Sequence, residues 1–135
     1  MERIVFISHG WHDRWIAKQM ARLVGEAGAV PFVDVFDIKK GDRIESRVKQ
    51  GIRGCHELVA LITPWSVDRK WVWSEISGVW AHDKRITAVF YGISMREVED
   101  KHGGLACIGP TNVSSIDEFD QYLAELTERV KLGSD

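Results

Sequence analysis

Residues 70–76 read KWVWSEI, and Glu75 stands among tryptophans at positions 65, 71, 73 and 80. An indole face attracts cations, while a carboxylate binds a diol or stabilises an oxocarbenium ion. Side by side, the two groups can hold a ribose next to a positively charged nitrogen ring. On a helical wheel of about 100° per residue, Glu75 follows Trp71 by one turn on the same face, so the two can touch. Val72, Ile76, Val79 and Trp80 then cluster on the side turned to a sheet, with Trp73 at the edge of that stripe and Glu75 at its opposite margin. The same spacing admits a plainer arrangement, in which Glu75 is half exposed, pairs with Lys70 or Arg69, and every tryptophan is packing.

A helix carrying such a pair has to be placed by the elements around it. Arg3 to Ser8 is a β-branched and aromatic run with consecutive apolar residues from Ile4 to Ile7, which predicts a strand buried on both faces. Asp13 can N-cap the next segment, where Ile16, Met20, Leu23 and Val24 keep helical spacing until Gly25 and Gly28. Val30 to Val35 is strand-like, the KKGD at 39–42 is a turn, and Ile44 to Ile52 has helical period before Gly54. Leu58 to Ile62 is the strongest strand, closed by Thr63-Pro64. Ser66 or Asp68 can cap a helix running to about His82, and Ile86 to Tyr91 gives a fourth strand. The stretch from Ser94 to Val113 reads mostly as loop, with Leu105 to Ile108 as a candidate short strand. From Ser115, the spacing of Ile116, Phe119, Leu123, Leu126 and Val130 predicts a last amphipathic helix, with Ser115 and Glu118 placed as a capping box.

This alternation predicts an α/β fold: a doubly wound, mostly parallel sheet of four to five strands flanked by helices. The 135 residues suit one domain, with no repeat or linker. Doubly wound sheets bind ligands outside the carboxyl ends of their strands. Here those ends supply Ser8-His9-Gly10, Asp34 to Asp37, Thr63-Pro64-Trp65 and the loop after Tyr91.

Composition narrows the function classes. A net charge of -2 with mixed signs offers no footprint for nucleic acid and no polybasic stretch for a membrane surface. The opening MERIVFISHG has no long apolar core of a signal peptide, and no apolar run approaches the roughly 20 residues of a membrane span, so the chain reads as cytoplasmic. Cys55 and Cys107 have no CxxC spacing and read as free thiols. Together with His9, His12 and His56 they lack the ligand spacing of a metal site. His9 and His12 read as ordinary polar loop residues more readily than as acid-base groups, and Gly41 with Asp42 as an ordinary turn. Asp34, Asp37 and Asp42 invite comparison with an acidic phosphoacceptor or magnesium cluster, but that arrangement needs an Asp closing the third strand, where Thr63 stands.

Three segments share an order with a known family. VFISHGWHD at 5–13 resembles the first box of Toll/interleukin receptor (TIR) domains, an aliphatic strand ending in Ser and followed by an acidic residue that opens a helix. FVDVFDIKKGDRI at 32–44 resembles their second strand and the loop marked by Gly and Ile. ELVALITPWSVDRKWVWSEI at 57–76 resembles the strand, Ser/Thr-Pro turn and W-x-x-x-E helix of the enzymatic members, the compact bacterial type included.

The resemblance implies a flavodoxin-like TIR fold over residues 1–135. It implies that Glu75 is the catalytic residue cleaving the nicotinamide–ribose bond of NAD+, giving nicotinamide plus ADP-ribose or a cyclic isomer. By the same resemblance, Ser8, His9, Gly10, Trp11, Asp34 and Trp71 bind that substrate, with no cofactor or metal. Some enzymatic relatives carry basic residues in the first-box loop, a carboxylate where Lys39 stands and an aromatic where Arg43 stands. Lys39, Lys40, Gly41, Asp42, Arg43 and Ile44 correspond to the loop that docks on a neighbouring domain, which implies a homo-oligomer. Bacterial antiviral signalling through an effector that senses the product is the implied setting. A non-catalytic TIR–TIR interaction module is the alternative.

Overall fold

The computed structural model describes residues 2–33, 44–101 and 112–133. Along them strand and helix alternate: β1 (Ile4–Ser8), α1 (Arg14–Glu26), β2 (Val30–Val33), α2 (Ile44–Gly54), β3 (Glu57–Ile62), α3 (Lys70–Ala81), β4 (Arg85–Phe90), α4 (Met95–Lys101), β5 (Asn112–Ser115) and α5 (Phe119–Leu132). The strands form one parallel sheet in the order β2-β1-β3-β4-β5. The expected fold class is the observed one, with five strands. Asp34, Asp37, Lys39, Lys40, Gly41, Asp42, Arg43, Cys107 and the candidate strand Leu105 to Ile108 lie outside the described residues, as do the side chains of Ile44 and Trp71.

Alternation along each strand divides the interior in two. On one face Phe6, Leu58, Ala60, Ile62, Ile86 and Ala88 pack under α2, α3 and α4. On the other, Val5, Ile7, Val59, Leu61 and Val89 pack under α1 and α5. β3 is buried at all six positions, because helices cover both of its faces and β1 and β4 flank its edges. Each fully buried Leu, Ile or Phe contributes roughly 1.5–3 kcal/mol by leaving water. Gly51 brings α2 down onto the sheet: a Cβ there would stand 2.7 Å from both the Phe6 and the Phe32 rings. The C-terminal end of the same helix is closed by Lys84, whose Nζ donates to the carbonyls of Ile52 and Arg53 at 2.9 and 2.6 Å.

Four local expectations change. Asp13 occupies the N-cap position of α1 but makes no capping bond, because its carboxylate is drawn to Thr63 instead. Neither Ser66 nor Asp68 caps α3, which starts at Lys70 after Arg69; Ser66 Oγ is spent on the carbonyl of Leu61 and the N–H of Thr63. Trp80 is 55% exposed instead of facing the sheet, since Val72, Ile76 and Val79 fill that contact. Part of the stretch from Ser94 to Val113 is regular: α4 forms over Met95–Lys101, anchored by Val98 and capped by a reciprocal Ser94–Glu97 pair, and β5 starts at Asn112 as an edge strand, while residues 102–111 lie outside the described residues. At the last helix Ser115 Oγ does accept a capping bond, from Asp117 N–H, and a 3-10 turn over Ile116–Glu118 precedes α5.

Candidate active site

β1 has β2 on one side and β3 on the other, so the chain reverses direction of growth between them. At such a switch point the loops leaving two neighbouring strands splay apart and open a crevice above their carboxyl ends. Ser8 closes β1 and Thr63 follows β3, so both stand at this crevice.

Glu75 reaches it from α3. Residues 72, 75, 76 and 79 form the buried stripe of that helix, a spacing of three, four and seven that gives Glu75 a core position. It is 1% exposed, and Ser8 Oγ donates to its Oε1 at 2.5 Å. The half-exposed arrangement is therefore corrected: Glu75 is buried, whereas Arg69 and Lys70 at the start of the helix are exposed. A buried carboxylate is expensive without donors, and Ser8 supplies one from the next element. Trp73 does serve packing, with its indole N–H donating to the carbonyl of Val67 at 2.7 Å.

A second network, unforeseen in the sequence, clamps the two crevice loops together. Thr63 Oγ1 donates to Asp13 Oδ2 at 2.6 Å and accepts from the N–H groups of Trp65 and Ser66. Asp13, Ser66 and Thr63 are all buried. Gly10 lies against Ser66, where a Cβ would come within 3.2 Å of the serine Cβ. Two residues on, the His12 ring stacks on Trp65 with centroids 4.3 Å apart, while the Arg14 guanidinium lies 3.9 Å over the Trp11 ring. Among the residues expected at the site, the structure thus brings Ser8 and Glu75 into contact and places His9, Gly10 and Trp11 on the adjoining loop. His9 is buried, whereas Trp11 is exposed. The backbone of Trp71 is one turn before Glu75; Asp34 lies outside the described residues.

Another buried carboxylate stands at the opposite end of the sheet. Glu57 opens β3 and receives Arg3 at 2.6 Å, Tyr122 Oη at 2.6 Å and Arg129 at 2.9 and 3.1 Å. Burial by itself raises the carboxyl pKa; the hydrogen bonds from Arg129, Tyr122 and Arg3 outweigh it and hold Glu57 below the usual range. Tyr122 is pushed well above its ordinary value by burial and by the Glu57 charge. Burial likewise raises the Cys55 thiol, which donates to the Ile52 carbonyl. Among the described residues no group of three or more acidic, His or Cys side chains is placed to hold a metal, and no helix is long and apolar enough to cross a membrane.

Comparison with known proteins agrees with this architecture. A sequence model of the TIR domain matches residues 5–127. The chain is 32% identical over 91 residues to a probable 2' cyclic ADP-D-ribose synthase of Brachypodium distachyon, covering 66% of this chain and 41% of that protein. It is 25% identical over 129 residues to a 2' cyclic ADP-D-ribose synthase of Acinetobacter baumannii, covering 90% and 48%. It is 23% identical over 122 residues to an NAD(+) hydrolase of Paracoccus denitrificans, covering 85% and 41%. The chain spans less than half the length of these three relatives. In structure it is similar to the TIR domain of a Toll-related receptor from Hydra magnipapillata, with TM-score 0.68, 13% identity and coverage of 94% and 97%. It is also similar to the TIR domains of the activated Roq1 resistosome, with TM-score 0.65, 18% identity and coverage of 98% and 86%. The chain belongs to the TIR-domain family.

Proposed function

We propose that the chain cleaves the nicotinamide–ribose bond of NAD+, with Glu75 as the catalytic residue. The observation that carries this reading is the buried Glu75 carboxylate, oriented by Ser8 at the switch point of a parallel sheet. The names of the relatives in Brachypodium, Acinetobacter and Paracoccus support the same chemistry. Nicotinamide leaves with the bonding pair of its ring nitrogen, and positive charge develops on the ribose C1'. A carboxylate fixed beside that carbon stabilises the charge without having to reorganise. Water then adds and loses a proton to give ADP-ribose, or a hydroxyl or the adenine of the same molecule closes a ring. NAD+ is the substrate, and no cofactor enters the reaction.

Ser8, His9, Gly10, Trp11, Asp34 and Trp71 are proposed to hold the substrate, and residues 39–44 to dock against a second copy. Cytoplasmic action in antiviral signalling, with an effector that senses the product, completes the proposal. The test is to incubate the protein with NAD+ and resolve products by mass spectrometry, with Glu75→Ala alongside. Release of nicotinamide by wild type and its loss in the variant are expected. Equal release from both proteins, or none from wild type at high concentration with crowding agent, overturns the assignment. The alternative, a TIR–TIR scaffold without catalysis, predicts a Glu75→Ala protein that keeps its cellular activity.

A further inference from the structure

The loops on either side of the crevice carry aromatic surface that the core does not use. Trp65 is 50% exposed and Trp11 61%, although each is within a few residues of a buried polar network. An indole left half in water at a tightly bonded turn is an unpartnered π-face. Its other face is already covered: the His12 ring stacks on it at 4.3 Å with the planes 21° apart. The turn that presents it is rigid, because Trp65 and Ser66 both donate their N–H groups to Thr63 Oγ1. Rigidity lowers the cost of using such a surface for binding.

A cation stands beside it. Arg69 is exposed and makes no side-chain hydrogen bond or ion pair among the described residues. Its stem packs beside the first loop, 3.8 Å from the place a Cβ on Gly10 would take. From Arg69 to Glu75 the helix rises by roughly 9 Å. A flat aromatic surface on the turn after β3, a guanidinium at the start of α3 and, further along that helix, a carboxylate suited to a ribosyl cation follow the order of groups in a dinucleotide: base, phosphate, then the second ribose.

We propose that Trp65, backed by His12, stacks the purine base of the substrate and that Arg69 binds its phosphates. The subsite therefore recognises the adenylate half, the part remote from the bond that breaks. This deepens the reading of Glu75 as the cleaving residue and rests on it. Stacking of a base on an aromatic ring is sequence-independent and strong enough that its removal weakens binding about tenfold or more. Binding energy from the remote half lowers KM when it acts equally in ground and transition states.

The test compares NAD+ with nicotinamide mononucleotide, which has the bond to be cleaved but no adenylate. Trp65→Ala is expected to raise KM for NAD+ about tenfold with kcat little changed, and to leave cleavage of the mononucleotide as it is in wild type. Trp65→Phe restores most of the loss, and Arg69→Ala raises KM for NAD+ more than for the mononucleotide, which keeps only one of the two phosphates. An equal loss with both substrates, or an unchanged KM for NAD+, overturns the subsite. In parallel, AMP is titrated into wild type and Trp65→Ala while indole N–H resonances are followed by NMR. Should nicotinamide release from either substrate be too slow to follow, this titration decides: a Trp65 shift that saturates with AMP upholds the subsite, and no shift at millimolar AMP removes it. Absence of nicotinamide release with AMP binding intact instead refutes the cleavage reading and keeps the nucleotide site.

Discussion

Among the described residues two glutamates are buried, Glu57 at the amino end of the sheet and Glu75 at its carboxyl end, with 0% and 1% exposure. Their surroundings differ in kind. Glu57 opens the central strand and is enclosed by two guanidiniums and a phenol drawn from both ends of the chain. The hydrogen bond to Glu75 Oε1 comes from a neutral hydroxyl. A carboxylate matched by two fixed cations is committed to holding β1, β3 and α5 together. At Glu75 Oε1 the orienting donor is a hydroxyl and carries no charge. Burial alone does not mark a structural acid; at Glu57 the two guanidiniums do.

The sharpest way to break this comparison is to remove one oxygen charge at each end. Glu75→Gln is expected to lower nicotinamide release by about a hundredfold to a thousandfold while the thermal transition moves little; retained activity ends the assignment. Glu57→Ala should do the opposite. Loss of one partner from a buried ion pair costs roughly 3–5 kcal/mol, read as a lower urea midpoint, with the activity of the molecules that stay folded unchanged. The same site predicts an acid limb. Because the folded pKa of Glu57 is lowered, its stabilisation is complete above the unfolded carboxyl value of about 4.3 and is lost as pH falls through the folded value below it. Chemical unfolding of Glu57→Gln between neutral and acid pH should show a flatter limb than wild type.

Smaller changes sharpen the contrast. Ser8→Ala deletes a hydrogen bond to a buried charge, for which about 1.5–3 kcal/mol is expected, shared between stability and a roughly tenfold fall in kcat/KM. Tyr122→Phe removes one neutral donor from a carboxylate that keeps two guanidiniums. A loss of about 1.5 kcal/mol in urea unfolding, the low end for a hydrogen bond to a charged group, and no effect on turnover are expected. Should Tyr122→Phe affect turnover more than Ser8→Ala, the two ends are coupled and the division fails.

The contrast was only half legible in the sequence. Long apolar runs identified β1 and β3, and the W-x-x-x-E helix with the Ser ending β1 placed Ser8 and Glu75 near one another. The helical wheel put Glu75 at the margin of a stripe because it counted Trp80 as core; with Trp80 outside, the centre of the stripe moves toward Glu75 by roughly 40° on a wheel of about 100° per residue and takes Glu75 in. α4 escaped because Val98 is its one buried residue, and one anchor has no period. β5 reads Asn-Val-Ser-Ser, with two exposed positions and little that marks a strand. The partners of Glu57 lie 54, 65 and 72 residues away, and no local pattern announces such a cluster. Asp13 looked like a helix cap because its bond to Thr63 spans 50 residues.

One close contact reaches beyond this molecule. Since a Cβ at Gly51 would stand 2.7 Å from both Phe6 and Phe32, positions 6, 32 and 51 constrain one another as a set. An alanine at 51 demands a smaller neighbour at 6 or 32, so single replacements at this position fail where paired ones survive. A library randomised at all three sites and selected for folding should return glycine with two phenylalanines, or a larger residue at 51 together with a trimmed ring, and almost nothing between. The path by which such a sequence can drift is then narrow, and it passes through the rings before it passes through the glycine.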